Sequence, residues 1–242
     1  MVSMEAQAGA GHVGLRASFE GWMRGAETSV ADAVFRALRQ AIITMQLEPG
    51  VRLTEQEVAD SLAISRQPVR EALLRLREAH LVQVVPRGSF IARISVSDVE
   101  TAQFLREAVE TAIVKRACGG LAPLDVARLA DILERQDRAA AMADSDAFFH
   151  LDEAFHRALA EAAGCGSAWR TIEGMKAHMD RVRYLSLPGA TPIERLIAQH
   201  RAVHEGVVAR DAEAAEAAMR GHLREILKSL PQLAARYPRL FD

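Results

Sequence analysis

Residues 65–76, SRQPVREALLRL, carry two different chemistries on one helical period. Val69, Ala72, Leu73 and Leu76 fall at i, i+3, i+4 and i+7 and make a stripe that must be buried. Arg66, Gln67 and Arg70 project from the first turns on the other side. Ser65 is suited to cap this helix, and Pro68 is tolerated in its first turn, where a missing N–H costs little. Just upstream, Thr54-Glu55-Gln56-Glu57 forms a capping box, which opens a short helix over residues 55–62 with Val58 and Leu62 facing inward. Only Ala63 and Ile64 separate the two helices. So tight a turn before a two-faced helix reads as helix-turn-helix. Arg can fork onto guanine and Gln onto adenine in a major groove, and the positive helix N-terminus attracts phosphate.

The flanks fit the same unit. A helical pattern through Val34, Leu38, Ile42 and Ile43 runs from near Val30 to the breaker Glu48-Pro49-Gly50. After Leu81 the period changes to two: Val82-Gln83-Val84-Val85 turns through Pro86-Arg87-Gly88-Ser89 and returns as Phe90-Ile91-Ala92-Arg93-Ile94, a hairpin wing with Arg87 and Gly88 at its tip. A solvated charged helix beside a hairpin would explain any one of these arginines, but not the whole series. Residues 30–94 hold nine Lys/Arg against seven Asp/Glu, whereas the chain as a whole carries a net charge of −2. Bulk charge therefore hides the polyanion partner. A winged helix-turn-helix domain is expected over residues 29–95.

The string VADSLAISRQPVREAL, residues 58–73, resembles the LAxxLGVSRxPVREAL signature of GntR-family regulators, with Ala63 where glycine is common. The resemblance implies that Ser65, Arg66, Gln67, Pro68 and Arg70 lie against DNA, with Arg87 and Gly88 entering from the wing. Residues 1–28 lack a continuous apolar stretch, which argues against a signal peptide, and they read as a disordered extension of a cytoplasmic protein. No apolar run approaches the ~18–20 residues of a membrane span. Cys118 and Cys165 belong to no CxxC pair and are expected as free thiols acting as small buried hydrophobes.

Beyond Ser97 the pattern is helical throughout. Helices are expected over about 97–118, 123–142, 144–164 and 167–187, from about 191 onward and over about 211–230, punctuated by Gly119-Gly120, Gly164, Pro188-Gly189 and Pro231. The fold class is mainly α: a winged helix-turn-helix domain followed, over residues 96–242, by an all-helical bundle of six to seven helices. Asp152 and His156 are spaced i, i+4 and share a helix face, while His200 and His222 lie on two later helices. Three imidazoles and one carboxylate from converging helices would suit a borderline divalent ion such as Zn or Ni. Spacing alone leaves this open, because a helical His is more often a core or surface group. His204, one turn beyond His200, competes for the same role.

The segments DEAFH (152–156), HRAV (200–203) and MRGHL (219–223) resemble the metal-ligand segments of the FCD effector domain, which marks the FadR subgroup of GntR regulators. The resemblance implies Asp152, His156, His200 and His222 as ligands. It also implies that Arg106, in FLREAVE (104–110), faces the ligand cavity with Glu110 one turn away. Arg181 and Arg183 are further effector-binding candidates. They lie about 200° apart around a helix, so one of them faces inward. The expected function is a transcription regulator and not an enzyme. It would be a homodimeric repressor on a palindromic operator, released by a small organic acid, plausibly a sugar acid, bound beside the metal. Two alternatives are a regulator whose effector is the ion itself and a metal-dependent hydrolase tethered to DNA.

Overall fold

The chain divides into two units, Met1–Ser95 with Pro238–Asp242, and Val96–Tyr237. The computed structural model describes residues 4–24, 28–86, 88–187 and 189–242, with side chains from residue 14 onward. Arg87 at the wing tip and Pro188 lie outside the described residues.

The first unit begins with a departure from expectation. Residues 1–28 read as a disordered extension, yet Met4–Met23 is a helix, α1. Leu15 and Phe19, spaced i, i+4, are buried, and the Arg36 guanidinium sits 4.8 Å from the centre of the Trp22 ring. Two apolar anchors in an alanine- and glycine-rich stretch make too faint a stripe to read in advance, but they suffice once neighbours supply a surface.

Helix α2 (Val30–Ile43) starts at Ser29, whose hydroxyl accepts the Asp32 N–H. It is followed by α3 (Glu55–Leu62) and α4 (Arg66–Glu78). The Thr54 box is half formed: Glu57 N–H donates to Thr54 Oγ1 at 3.1 Å as expected, but the Glu57 carboxylate accepts from the Thr54 hydroxyl at 2.7 Å and not from a backbone N–H. Ser65 stands at the N-cap of α4, but its side chain makes no capping hydrogen bond. Val69, Ala72 and Leu76 are buried as the stripe requires, whereas Leu73 is only half-buried. The wing is β2 (Val82–Val85) paired antiparallel with β3 (Gly88–Ile91). A two-residue strand β1 (Arg52–Leu53) completes a sheet of order β1-β3-β2. Gly88 and Ser89, expected in the turn, are already in β3. The C-terminal residues return to this unit: Ile94 N–H donates to Leu240 O at 2.8 Å, and Leu240 and Phe241 are buried.

Ala63, where relatives of this motif favour glycine, ends α3 in the left-handed region at φ 55°. An L-residue there carries strain of ~1–2 kcal/mol, only partly offset by the greater backbone entropy of an unfolded glycine. Ala63→Gly is therefore expected to stabilise the first unit by about 1 kcal/mol, seen as roughly five-fold slower amide exchange in α3 and α4.

Among its described residues the second unit has eight helical segments: α5 (Val96–Ala117), α6 (Pro123–Ala141), α7 (Ser145–Ala162), α8 (Gly166–Met175), α9 (Ala177–Ser186), α10 (Ile193–Ala209), α11 (Ala212–Leu223) and α12 (Glu225–Arg236). The helical bundle is as expected, with two of its anticipated helices each broken once. The first break is at Lys176, whose ammonium is buried among Glu153 and Asp180. The second is at Arg224, whose guanidinium forks onto Glu107 of α5 at 2.8 and 2.6 Å. Pro231 does not end the last helix, because α12 continues to Arg236 with Ile226, Leu230 and Leu233 buried along one face. Phe155, Trp169, Val203, Met219 and Leu223 belong to the core of this unit. Helices α10 and α11 approach closely at Gly206, where a Cβ would fall 2.8 Å from the Ala215 nitrogen. Among the described residues no helix is long and apolar enough to cross a membrane. Cys118 is buried and Cys165 half-buried, both free.

Candidate nucleic-acid interface and metal centre

In the first unit Arg66, Gln67 and Arg70 all stand exposed on the N-terminal half of α4, with Ser65 beside them and Pro68 half-buried in the first turn. Arg66 and Arg70, but not Gln67, line a cleft with Arg52, Glu55 and Arg77 and with Gly88 and Ser89 of the wing. Arg52 and Arg77 were not singled out from the sequence. Arg52 sits on a strand too short to show a period, and it reaches the cleft only through β1–β3 pairing. Gly88 has φ +131°, a backbone conformation that calls for glycine, and its α-carbon lies close to the Arg52 side chain, where a Cβ would fall 3.1 Å from Nε. The cationic heads are organised: Arg70 donates Nε–H and Nη2–H to the two oxygens of Glu55 at 3.0 and 3.2 Å, and Arg66 Nη2 donates to Glu55 Oε2 at 3.0 Å. Hydrogen bonds from Arg70 and then Arg66 hold the Glu55 carboxyl below its ordinary pKa.

In the second unit Asp152 and His156 of α7, His200 of α10 and His222 of α11 converge, all four buried, their ligand atoms within 4.8 Å of one another. His222 Nε2 lies 3.0 Å from His156 Nε2 and 3.2 Å from His200 Nε2. Asp152 Oδ1 is 3.6 Å from His200 Nε2, and Oδ2 is 3.8 Å from His156 Nε2. His204 is not in this group. Each imidazole is held from behind: His156 Nδ1 faces Glu110 Oε2 at 2.6 Å, His200 Nδ1 faces Gln136 Oε1 at 3.0 Å and His222 Nδ1 faces Gln199 Oε1 at 3.1 Å.

Acceptors at the Nδ1 atoms of His200 and His222 put their ring protons there and leave two Nε2 lone pairs pointing at each other and at His156. Such a convergence is repulsive unless something positive stands in the middle. Nitrogens on a tetrahedral ion at the usual bond length would be about 3.3 Å apart, close to the spacing seen. The residues present therefore fit a divalent cation.

Electrostatics agree. Burial pushes His200 down to about 3, and burial with the neighbouring His200 and His156 rings pushes His222 well below its ordinary value. Both are thus neutral ligands at pH 7. Burial would raise Glu110, but the Arg106 and His156 charges outweigh it and hold the carboxyl at about 2. Burial would also raise Asp152, and Arg183 first among its neighbours outweighs that.

These shifts fix a sign. His200 and His222 bind protons more weakly folded than unfolded, so their contribution is present above about pH 6.5 and is lost as pH falls from there toward 3. Glu110 works in the same direction below pH 4.5. Metal-free protein is expected to lose stability in its second unit steadily on acidification from pH 7 to 4. Thermal unfolding at half-unit pH steps checks this; a flat profile would contradict the arrangement.

Beside the cluster lies a small pocket of about 40 Å³, with Arg106, Arg183, Asp152 and His222 in its wall and Phe148, Phe149, Leu196 and Ile226 among its apolar lining. Arg106 is buried, with Nε 2.5 Å from Glu110 Oε1 and Nη2 unpartnered. A surface ion pair is therefore excluded for Arg106 and Glu110. Glu110 does not line the pocket; it is turned toward Arg106 and His156. Of the two later arginines, Arg183 faces the pocket and pairs with Asp152, Glu153 and Asp180. Arg181 points elsewhere, fully buried with its guanidinium nitrogens unpartnered, and burial lowers its pKa to about 10.

Comparison with known proteins agrees with both halves. Residues 30–91 match the gntR family of bacterial regulatory proteins and residues 102–225 match the FCD domain. An HTH-type transcriptional regulator in an unstable DNA locus of Streptomyces ambofaciens is 41% identical over 209 residues, covering 86% of this chain and 88% of that protein. The HTH-type transcriptional repressor RspR of Escherichia coli K12 is 40% identical over 205 residues, covering 84% and 90%. The solved structure of E. coli McbR/YncC has the same fold, with a TM-score of 0.74 at 23% identity over 87% of this chain and 100% of that one. These relatives regulate transcription, which removes the alternative of a DNA-tethered hydrolase. The chain is a DNA-binding transcription regulator of the GntR family, in the FadR-like branch whose second domain is an FCD domain.

Proposed function

We propose that this regulator is a homodimeric repressor whose hold on a palindromic operator is released by a small carboxylate, of the sugar-acid or hydroxy-acid kind, bound beside a Zn or Ni ion. Arg66, Gln67 and Arg70 read base edges and phosphates in the major groove, Ser65 and Pro68 let the α4 N-terminus approach the backbone, and Arg87 and Gly88 bring the wing to the adjoining groove. Asp152, His156, His200 and His222 hold the ion. The observation that carries the effector reading is one wall shared by two features: Asp152 and His222 of the metal cluster, and a buried Arg106 with an unpartnered Nη2. An ion with an open position would take one carboxylate oxygen while Arg106 and Arg183 donate to another, the arrangement in which a guanidinium is most selective for planar anions. Release follows only if the acid binds the DNA-incompetent arrangement more tightly than the competent one.

The shared wall also favours an acid over the ion as the signal, since a sensor of metal alone has no use for a pocket that sets Arg106 and Arg183 beside the cluster. The test is a titration on a fluorescent duplex enriched from a random library by the full chain. Zn or Ni is added first and a panel of hydroxy-acids second. Release that requires both supports the proposal. Release by metal alone establishes the ion as effector, and no release by any acid on metal-loaded protein overturns the carboxylate reading.

A further inference from the structure

We infer that Glu55 is a determinant of DNA sequence preference, acting as a positioning residue for Arg66 and Arg70 without itself reading a base. The inference rests on the reading of α4 as the groove-entering helix, and it begins from an oddity of that surface. A face made to meet a polyanion carries a carboxylate in the wall of its cationic cleft. That carboxylate is the common acceptor for the two arginines on which recognition depends.

The geometry gives it a specific task. Arg70 uses its Nε/Nη2 edge on the two Glu55 oxygens, so the terminal Nη1/Nη2 edge is left to point outward. That edge suffices for a fork onto guanine O6 and N7. Without the carboxylate, both side chains are long, more than half exposed and free to swing onto whichever phosphate is nearest, a contact that carries no sequence information. Glu55 itself is well anchored. It is the first residue of α3, immediately after the Thr54 cap, and so has a fixed placement before the helix that bears its partners.

Charge adds a second effect of the same sign. A carboxylate in the cleft repels phosphates in every register, and only the register in which the held forks meet their bases compensates for that repulsion. Glu55 thus lowers general affinity and raises discrimination. Removing it should do the opposite on both counts.

The experiment uses the full chain, the duplex enriched by the wild type and a scrambled duplex of the same composition, each at several salt concentrations. Glu55→Ala is expected to bind the scrambled duplex a few-fold more tightly, with a steeper dependence of log K on log salt by up to about one unit. The ratio of affinities for the enriched and scrambled duplexes is expected to fall about ten-fold. Glu55→Gln, nearly isosteric, guards against a fold effect and is expected to lose discrimination in the same direction. In an R66A/R70A background, Glu55→Ala should leave the ratio unchanged, because the residues it acts through are gone. The inference is overturned if both single variants keep the wild-type ratio, or if the ratio falls equally in the double-arginine background. Failure of the underlying reading looks different: R66A/R70A would itself keep the full preference.

Discussion

Replacing Arg66, Gln67 and Arg70 together by alanine is expected to cost at least about a hundred-fold in operator affinity while leaving the protein folded. A well-formed side-chain fork onto a base discriminates by ~1–3 kcal/mol, and three such residues act on one short stretch of groove. All three are exposed on α4 and contribute nothing to the buried stripe of Val69, Ala72 and Leu76, so circular dichroism and thermal unfolding should be nearly unchanged. Residual binding should resemble the wild type on scrambled DNA. The salt dependence should become shallower by about one unit for each arginine that also met a phosphate. Retention of tight, selective binding by this variant would remove α4 as the recognition element.

The second large effect is on the other unit. At an ion concentration one hundred times its dissociation constant, the wild type should gain about 2.7 kcal/mol of stability by mass action. His200→Ala and His222→Ala should gain none, and should no longer release the operator when an acid is added. Their DNA affinity without acid should match the wild type, since the cluster lies wholly within the second unit. The supporting shell offers a finer test. Gln136 is fully buried, its Oε1 facing His200 Nδ1 while its Nε2 donates to Leu151 O. Gln136→Met keeps the volume but removes the acceptor that orients the ring, and should weaken metal affinity about 10–100-fold. Calorimetric titration with Zn reads both effects. Full-strength binding by His200→Ala would mean that the ligands lie elsewhere.

The winged domain was legible because its signals are local. Caps, a two-residue turn, a stripe at helical spacing and a change to period two each lie within a few residues, and local chemistry decides them before any tertiary contact forms. The limits of that legibility appear at Arg52 and Glu55. Neither belongs to a recognisable stripe, and their importance comes from what stands opposite them after β1 joins β3 and α3 meets α4. Helix α1 was missed for a related reason: its two anchors, Leu15 and Phe19, gain meaning only from a partner surface.

The sequence by itself determined the helical character of both units, the two-faced α4, the pairing of Asp152 with His156 on one face and the fact that Arg181 and Arg183 point apart. These follow from the 3.6-residue period, a property of the chain alone. Only the tertiary structure decided that His200, and not His204, joins the cluster, that His222 meets it across a close α10–α11 contact permitted by Gly206, that Glu110 stands behind His156, and that Arg183 and not Arg181 is at the pocket. Those relations link residues dozens of positions apart, and the angle and depth at which helices pack are set by the summed burial of many side chains, which no local period encodes.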